Sequence, residues 1–397
     1  MLAAHSLQTS EPFMSHDGHT DGGQRLLIAR KDLHQARWAP DPDAPAARRL
    51  NEGEARLRVE HTALTANNIT YAAFGEAMKY WQFFPAAVAD RDSWGCLPVW
   101  GYATVSESRC EGVAVGRRVW GYYPLGTHLV VQPGRVRPHS FVDAAPHRAA
   151  LAAAYQQYAF TDSEAGWKPE LEGLTAVLRP LFFTGFLIDD FLADAAFFGA
   201  QQVLLSSASA KTAYGTAFCL AQRRGQPGMA RVVGLTSAGN QAFATGLGVY
   251  DEVRLYDTLA TMDPAVPTVY VDFAGHAALR RQVHEHFSST LMFSSSIGGT
   301  HREALGAGAG LPGPRPTLFF APAQIKKRSA PPPEGWGPDG LAQRLGARWG
   351  AFIQATQRAS DPWVHIVHHQ GPAAAKAAYT TMLEGHSDAR VGLMLAL

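Results

Sequence analysis

The sequence predicts an α/β protein in which a small β-barrel or sandwich is followed by a doubly wound parallel sheet. Between residues 100 and 132, short β-like runs are interrupted by glycine and proline, which is typical of small β-rich folds. After residue 200, short apolar runs alternate with helical stretches, as expected of parallel strands covered on both faces and joined by right-handed crossovers. The strand candidates are 202–206, 230–235, 252–256, 268–272, 290–295 and 317–321.

The composition is that of a globular protein, since 46% of the residues are hydrophobic and 17% are charged. A length of 397 residues is enough for two or three domains. The formal net charge is +1, from 35 basic and 34 acidic residues, so we expect no nucleic-acid partner. Three cysteines are too few for a disulfide framework or a four-cysteine zinc site, and they fit a cytoplasmic location.

The N-terminal residues 1–24 are polar and rich in histidine, glycine and serine, so we expect a disordered tail there. They lack the long apolar core of a signal peptide. No run of about 18 apolar residues occurs, and we therefore expect no membrane span. Further along the chain, the alanine-rich stretch at 147–158 predicts a helix.

The stretch "SSASAKTA" at 206–213 follows an apolar strand and precedes a helix predicted over about 210–223. The start of such a helix offers backbone N–H groups and a positive dipole end to a pyrophosphate, and Ser207 or Ser209 would cap it. The glycines of a dinucleotide-binding turn are missing, so we expect a wider turn in which side chains replace backbone contacts. Those side chains are Ser207, Ser209, Lys211 and Thr212. An ATP-binding P-loop is disfavoured because both of its glycines are absent, whereas a capped helix with an exposed lysine stays open.

A second signal of nucleotide binding is the absence of acidic residues between Asp194 and Asp251. These 56 residues would hold about five acids at the average composition of the chain. The window includes the end of the second predicted parallel strand, where NAD-specific proteins place an acid on the ribose 2′-hydroxyl. The residues found at that position are Thr236, Ser237 and Asn240. Because none of them would repel a 2′-phosphate, the pattern favours NADP(H) over NAD, although chance in an alanine-rich segment would give the same absence.

Four segments, taken in order, carry a resemblance to a known family. They are "LRVEHTALTANNITYAAFG" from residue 57, "PVWGYATVSESRCEGVAVGRRVWGYYPLGTHLVV" from 98, "VVGLTSAGNQAFATGLGVYDEVRLYD" from 232 and "GPAAAKAAYTTMLEGHSDARVGLMLAL" from 371. Together they resemble the medium-chain dehydrogenase/reductase superfamily, and in particular its zinc-free quinone oxidoreductase and enoyl reductase branch, in a divergent bacterial form. It implies a GroES-like β-barrel catalytic domain over 25–150, completed by 341–397, and a Rossmann-type nucleotide-binding domain with connecting helices over 151–340. It also implies a homodimer and a small-molecule substrate.

The zinc-binding positions of the superfamily are not kept in this sequence. Its Gly-His-Glu motif corresponds to Gly101-Tyr102-Ala103, and Asn67 and Asn68 stand in the region of the first cysteine ligand. We therefore expect no metal. The resemblance implies NADP(H)-dependent hydride transfer to or from a carbonyl or conjugated alkene, such as an enone, a quinone or an enoyl thioester. The alternative is a degenerate reductase fold that binds an acyl-CoA or another phosphorylated ligand without redox chemistry.

Hydride transfer to such an acceptor requires a hydrogen-bond donor for the developing enolate. The resemblance makes Tyr71 the first candidate and Asn68 a second donor. Tyr80, in the aromatic stretch "MKYWQFFP", is an alternative, and each tyrosine would serve equally well as an aromatic lining residue. Thr184, on the helix before the parallel sheet, is expected near the nicotinamide. Ligands bind at the carboxyl edge of a parallel sheet, which adds the strand-end candidates Phe273, Ser294 and Ser295.

Overall fold

The computed structural model describes residues 22–87, 89–163, 167–297, 310–358 and 360–397. Of the predicted N-terminal tail, residues 1–21 lie outside this described part of the chain. The described residues form eighteen β-strands and eight α-helices, which are joined by loops and short 3₁₀ turns.

The first part of the chain is antiparallel. Its strands are β1 (Gln24–Ala29), β2 (Ala36–Pro40), β3 (Ala55–Leu64), β4 (Trp94–Cys96), β5 (Pro98–Ser108), β6 (Arg118–Pro124), β7 (His128–Val131), β8 (Pro133–Arg137), β9 (Ser140–Asp143) and β10 (Gln157–Phe160). A small sheet has the order β2-β1-β4, and a larger one contains the path β3-β5-β6-β10-β9-β8, with β7 also paired to β3. Gly101 shows how closely these strands pack, because a Cβ there would lie 2.3 Å from the His61 carbonyl oxygen. Close packing of the strands therefore explains why glycine stands at position 101, which corresponds to the glycine of the zinc motif.

The predicted helix at 147–158 is wrong. The segment forms two 3₁₀ turns, Pro146–Arg148 and Ala153–Tyr155, followed by β10, which pairs with β6 and β9. Tertiary contacts override the helix propensity of alanine, since buried Arg148 bonds to the Phe83 carbonyl and to the Asp143 carboxylate. Because β10 belongs to the antiparallel part, the boundary expected at residue 151 falls too early.

The second part of the chain contains a parallel sheet of six strands within the described residues. They are β11 (Gln202–Leu205), β12 (Arg231–Thr236), β13 (Glu252–Leu255), β14 (Thr268–Asp272), β15 (Leu291–Ser296) and β16 (Thr317–Leu318). Their order is β13-β12-β11-β14-β15-β16, and every neighbouring pair is parallel. The chain moves to one side of β11 first and to the other side afterwards, which is the doubly wound order with a switch point between β11 and β14. All six predicted strands and the predicted fold class are confirmed.

Helices cover this sheet and link it to the antiparallel part. They are α1 (Ala66–Ala73), α2 (Glu172–Asp194), α3 (Lys211–Ala221), α4 (Ala238–Gly246), α5 (Ala277–Phe287), α6 (Ala321–Ser329), α7 (Gly337–Thr356) and α8 (Pro372–Leu383). Helix α2 is long and apolar enough to cross a membrane by length and composition, but more than half of its apolar window is buried in the fold. A Cβ at Gly185 would lie 2.7 Å from the backbone nitrogen of Thr216, so α2 and α3 are in backbone contact. This packing is that of a core helix.

The end of the chain returns to the antiparallel part. Strand β17 (His365–Gln370) pairs in parallel with β18 (Val391–Ala396), and β18 pairs antiparallel with β3, which completes a sheet of nine described strands. Helix α7, by contrast, places Phe352 and Ile353 in the same apolar core as α2, α3 and β11. The same core also contains Tyr102 of β5 and Met394 of β18, so α7 lies where the two parts of the fold meet.

Candidate functional site

The loop after β11 makes a tight turn without glycine. Ser207 adopts a left-handed conformation with φ of 50°, and the Ala210 N–H donates to its carbonyl at 2.7 Å. The backbone N–H of Ser207 donates to the Tyr256 hydroxyl at 3.1 Å. A non-glycine residue in this region costs about 1 kcal/mol or more, so the surrounding contacts must hold it. The wider turn expected from the missing glycines is not what this backbone adopts.

A buried polar network fixes the loop to the neighbouring strand. The Ser206 hydroxyl donates to the Asp272 carboxylate at 3.1 Å and accepts the backbone N–H groups of Phe273 and Ala274 at 2.9 and 3.0 Å. Arg280 of α5 forms a buried ion pair with Asp272 at 2.8 Å. Sequence reasoning missed this network, and the only signal for it is an acid at the end of the strand "TVYVD".

Helix α3 begins without a side-chain cap. Its N-cap residue is Ala210, and no side chain of the described residues caps its first turn, so the predicted capping by Ser207 or Ser209 is wrong. The Ser207 hydroxyl lies 3.4 Å from that of Tyr256, and Ser209 is buried. Uncapped N–H groups at a helix start, together with the helix dipole, are suited to an anion. Thr212 lies in this first turn, half-buried.

Lys211 does not lie free at the helix start. Its ammonium donates to the carbonyl oxygens of Ala389 and Val391 at 2.9 and 2.8 Å. Burial lowers the pKa of Lys211 to about 8, although nearby Asp388 opposes this shift. The Lys211 side chain thus connects α3 to the segment that enters β18. It is bonded to these carbonyls, whereas the sequence predicts a contact with a phosphate. No sequence signal foretells this, because the partners lie almost two hundred residues away.

The end of β12 places three predicted cofactor residues together, next to the loop of β11. Thr236 is the buried last residue of the strand, and exposed Ser237 is the N-cap of α4. The Asn240 amide donates to the Ser237 hydroxyl at 3.2 Å. The three side chains are uncharged, so this edge of the sheet carries polar but neutral groups one strand away from the start of α3.

The other residues predicted to line the cofactor cleft lie on separate elements of the structure. Thr184 is half-buried on α2 and donates to the Pro180 carbonyl at 3.2 Å. Ser294 is buried within β15, where its hydroxyl is 2.9 Å from Nε2 of His284 on α5, so its predicted place at the cleft is wrong. Ser295 is also buried, and its alternate position in the strand turns it to the other face. Phe273 directly follows β14 and is half-buried.

Two of the predicted tyrosines come together in an aromatic cluster. The rings of Tyr71 and Tyr80 are 4.6 Å apart, and the Tyr80 hydroxyl is 3.2 Å from that of Tyr155. The indole N–H of Trp100 donates to the Tyr71 hydroxyl at 3.3 Å. Burial raises the pKa of all three tyrosines well above its ordinary value, so their hydroxyls stay protonated and able to donate at neutral pH.

The cluster opens into a cavity of about 320 Å³. It is lined by Ala77, Met78, Lys79, Tyr80, Phe83, Ala150, Leu151, Ala152, Tyr155 and Phe320. Phe320 follows the carboxyl end of β16, so the cavity lies between the antiparallel part and the edge of the parallel sheet. Sequence reasoning missed Tyr155 because its segment was predicted as a helix.

Asn68, the predicted second donor, is bonded to backbone groups on both sides of its amide. Its side-chain oxygen accepts the backbone N–H of Thr65 at 2.7 Å, which closes a capping box at the start of α1. Its side-chain nitrogen donates to the Pro98 carbonyl at 2.7 Å. The residue is 2% exposed, so its amide fastens α1 to β5.

Within the described ranges, no group of three or more histidine, cysteine or acidic residues could hold a metal ion. The model of the family described as "Protein of unknown function (DUF2855)" matches residues 62–388. The chain belongs to this family. No curated protein matches the sequence of this DUF2855 protein.

Solved structures resemble this DUF2855 protein over nearly its whole length. CurA from Vibrio vulnificus in complex with NADPH is 13% identical with a TM-score of 0.54, covering 94% of this chain and 98% of that one. Mycobacterial Rv1454c complexed with NADPH is 13% identical with a TM-score of 0.52, covering 94% and 100%. The CurK enoyl reductase is 14% identical with a TM-score of 0.51, covering 94% and 99%. These likenesses confirm the predicted fold of the medium-chain dehydrogenase/reductases, with a GroES-like and a Rossmann-type part.

Proposed function

We propose that this DUF2855 protein is a zinc-independent NADP(H)-dependent oxidoreductase that transfers hydride to or from a carbonyl or conjugated alkene. The observation that carries the proposal is the tyrosine-lined cavity at the carboxyl edge of a sheet with the order of a dinucleotide-binding fold. The similar structures of CurA and Rv1454c contain NADPH, and CurK is named an enoyl reductase. Both observations support the same class of reaction.

The residues present fit a dinucleotide phosphate in two respects. The uncapped start of α3 offers backbone N–H groups to a diphosphate, and the neutral end of β12 accommodates a 2′-phosphate next to Ser237. From β11 to β16 there are three strand spacings of about 4.8 Å, so the start of α3 and the cavity are separated by roughly 14 Å along the edge. This separation between the start of α3 and the cavity suits an extended ligand.

In this proposal the bound nicotinamide supplies or accepts the hydride. The residues of the chain then have to stabilise the negative charge that develops on the substrate oxygen. The tyrosine hydroxyls at the cavity can do so as hydrogen-bond donors, since burial keeps them protonated. Apolar side chains such as Met78, Phe83 and Leu151 surround the position and strengthen the interaction by lowering the local polarity.

A second candidate function is the binding of an acyl-CoA or another phosphorylated ligand without redox chemistry. The feature that motivates it is the loop after β11, which lacks the glycines of a dinucleotide-binding turn and whose Lys211 is bonded to the Ala389 and Val391 carbonyls. A degenerate cofactor loop would tolerate such a contact.

Titration with NADPH and NADH, followed by the fluorescence of the reduced nicotinamide, tests the proposal. We expect the wild-type protein to bind NADPH more tightly than NADH. Ser237→Asp adds a carboxylate at an exposed N-cap, a position that aspartate favours, so folding is retained. At about 5 Å from a doubly charged phosphate in water, this carboxylate costs about 1.7 kcal/mol, so NADPH affinity falls roughly fifteenfold while NADH affinity is kept.

Ser237→Asn is the matched control, since it adds a neutral side chain of nearly the same size and should keep the NADPH preference. Absence of NADPH binding at high micromolar concentration overturns the cofactor assignment. A thermal shift with an acyl-CoA but none with NADPH selects the second candidate.

We also propose a cytoplasmic location and a set of partners for this protein. The free cysteines Cys96, Cys110 and Cys219 support a reducing cytoplasm. A small-molecule substrate, a homodimer and the absence of nucleic-acid and membrane partners follow from the resemblance and the near-neutral charge.

A further inference from the structure

Two tyrosines hold the turn after β11, which is built without glycine. The backbone N–H of Ser207 donates to the Tyr256 hydroxyl at 3.1 Å, and the Tyr250 hydroxyl donates to the Ala208 carbonyl at 2.7 Å. Tyr250 belongs to the apolar core on the α3 side of the parallel sheet, whereas Tyr256 packs against the core on the α5 side. The turn is therefore gripped from both faces of the sheet.

Room for the side chain of Ala208 is made on the neighbouring strand. A Cβ at Gly234 of β12 would lie 2.8 Å from the Ala208 Cβ and 2.9 Å from the Tyr250 ring. In a dinucleotide-binding turn, glycines of the turn itself permit the close approach of the backbone. In this protein a glycine of β12 lets the buried Ala208 and Tyr250 pack closely instead.

The conformation of Ser207 determines where α3 begins. The Ser207 carbonyl accepts the N–H of Ala210 at 2.7 Å, and Ala210 is the N-cap residue of α3. The next N–H along the chain, that of Ala208, donates to the Leu235 carbonyl of β12 at 2.9 Å. Because these turn groups are paired inside the protein, a change at Ser207 moves the start of the helix.

Ser207 needs a partner to keep its conformation. Its φ of 50° lies in the left-handed region, which glycine enters readily and which a residue with a Cβ avoids. The Tyr256 hydroxyl receives the Ser207 N–H in this conformation, so the bond compensates for the strain. Without the hydroxyl, Ser207 is free to return to a commoner conformation and to carry Ala210 with it.

We propose that Tyr256 is a positioning residue for the cofactor phosphate. Its hydroxyl holds Ser207 in the left-handed conformation that glycine would adopt unaided, and it thereby keeps the start of α3 where the phosphate binds. Tyr250 fixes the same turn through Ala208. The inference deepens the proposed function and rests on it for the identity of the ligand.

A double-mutant cycle between Tyr256→Phe and Ser207→Gly tests this role, with NADPH affinity measured by fluorescence titration. We expect Tyr256→Phe to weaken NADPH binding about tenfold, because one hydrogen bond and the support of a strained residue are lost together. Ser207→Gly alone should bind NADPH at least as tightly as the wild type. In the double variant the affinity should return to within about threefold of Ser207→Gly, because glycine needs no help from the tyrosine.

Two further tyrosine variants are the controls. Tyr250→Phe removes the same kind of bond from the same turn, but the bond is to Ala208, so Ser207→Gly should not restore its NADPH affinity. Tyr214→Phe on α3 should bind NADPH like the wild type, because the buried Tyr214 hydroxyl has no hydrogen-bond partner among the described residues.

Two results would overturn the inference: no loss of affinity in Tyr256→Phe, or the same loss with and without Ser207→Gly, since Tyr256 would then act through another contact. The urea midpoints of the same proteins separate the two proposals. If the wild type does not bind NADPH, the proposed cofactor fails by itself. The inference is then decided by unfolding, where Tyr256→Phe should lower the urea midpoint more in the wild type than in Ser207→Gly, and equal shifts overturn it.

Discussion

Lys211 makes the stability of this protein depend on pH in a direction that can be predicted. Its ammonium is held by the Ala389 and Val391 carbonyls in a partly buried place, and its pKa falls from the ordinary 10.5 to about 8. Lys211→Met keeps most of the side-chain volume and removes the titrating group. The comparison of wild type and variant therefore isolates this one proton.

The direction of the pH effect depends on whether the folded or the unfolded state binds the Lys211 proton. Between pH 8 and 10.5 the unfolded chain keeps the Lys211 proton and the folded protein does not, so stability rises with pH in that window. Below pH 8 both states are protonated and the folded state carries the full penalty. The full shift would correspond to about 3.4 kcal/mol, and residual solvent exposure of the side chain reduces this to roughly 2–3 kcal/mol.

Urea denaturation at a series of pH values from 7 to 10.5, followed by circular dichroism, measures this effect. The free energy of unfolding of wild type minus that of Lys211→Met should increase by roughly 2–3 kcal/mol across the window. Other lysines and tyrosines titrate in both proteins and cancel in the difference. Parallel curves for the two proteins would refute the account of Lys211 as a buried ammonium.

Two further predictions concern packing and charge. Gly185→Ala should lower the free energy of unfolding by about 1–3 kcal/mol, because its Cβ would meet the Thr216 nitrogen at 2.7 Å. Gly215→Ala in α3 is its control, since the nearest atom would be 3.6 Å away and the helix should be unchanged or stabilised in thermal melts. Arg280→Met should cost about 3–5 kcal/mol by leaving Asp272 buried and unpaired, and adding Asp272→Asn should recover part of the loss in the same denaturation assay.

The sequence by itself determined the parallel sheet and its helices. Each strand from β11 to β16 is a short run bounded by turn residues, and such runs between helical stretches have few other solutions. The neutral edge at Thr236, Ser237 and Asn240 followed in the same way, because strand ends of a doubly wound sheet meet at one edge. These features depend on local pattern and on rules of topology.

Only the tertiary structure decided what individual side chains do. The stretch at 147–158 has the composition of a helix, but Arg148 and Tyr158 are held in the antiparallel core by partners elsewhere in the chain. Lys211 and Ser294 are polar residues at positions where the sequence predicts cofactor contacts. In the structure Lys211 is bonded to the Val391 carbonyl and Ser294 to the His284 ring, and no local sequence pattern reveals either partner. A hydrogen bond depends on distances of a few ångströms between residues far apart in sequence, and the folded backbone alone sets those distances.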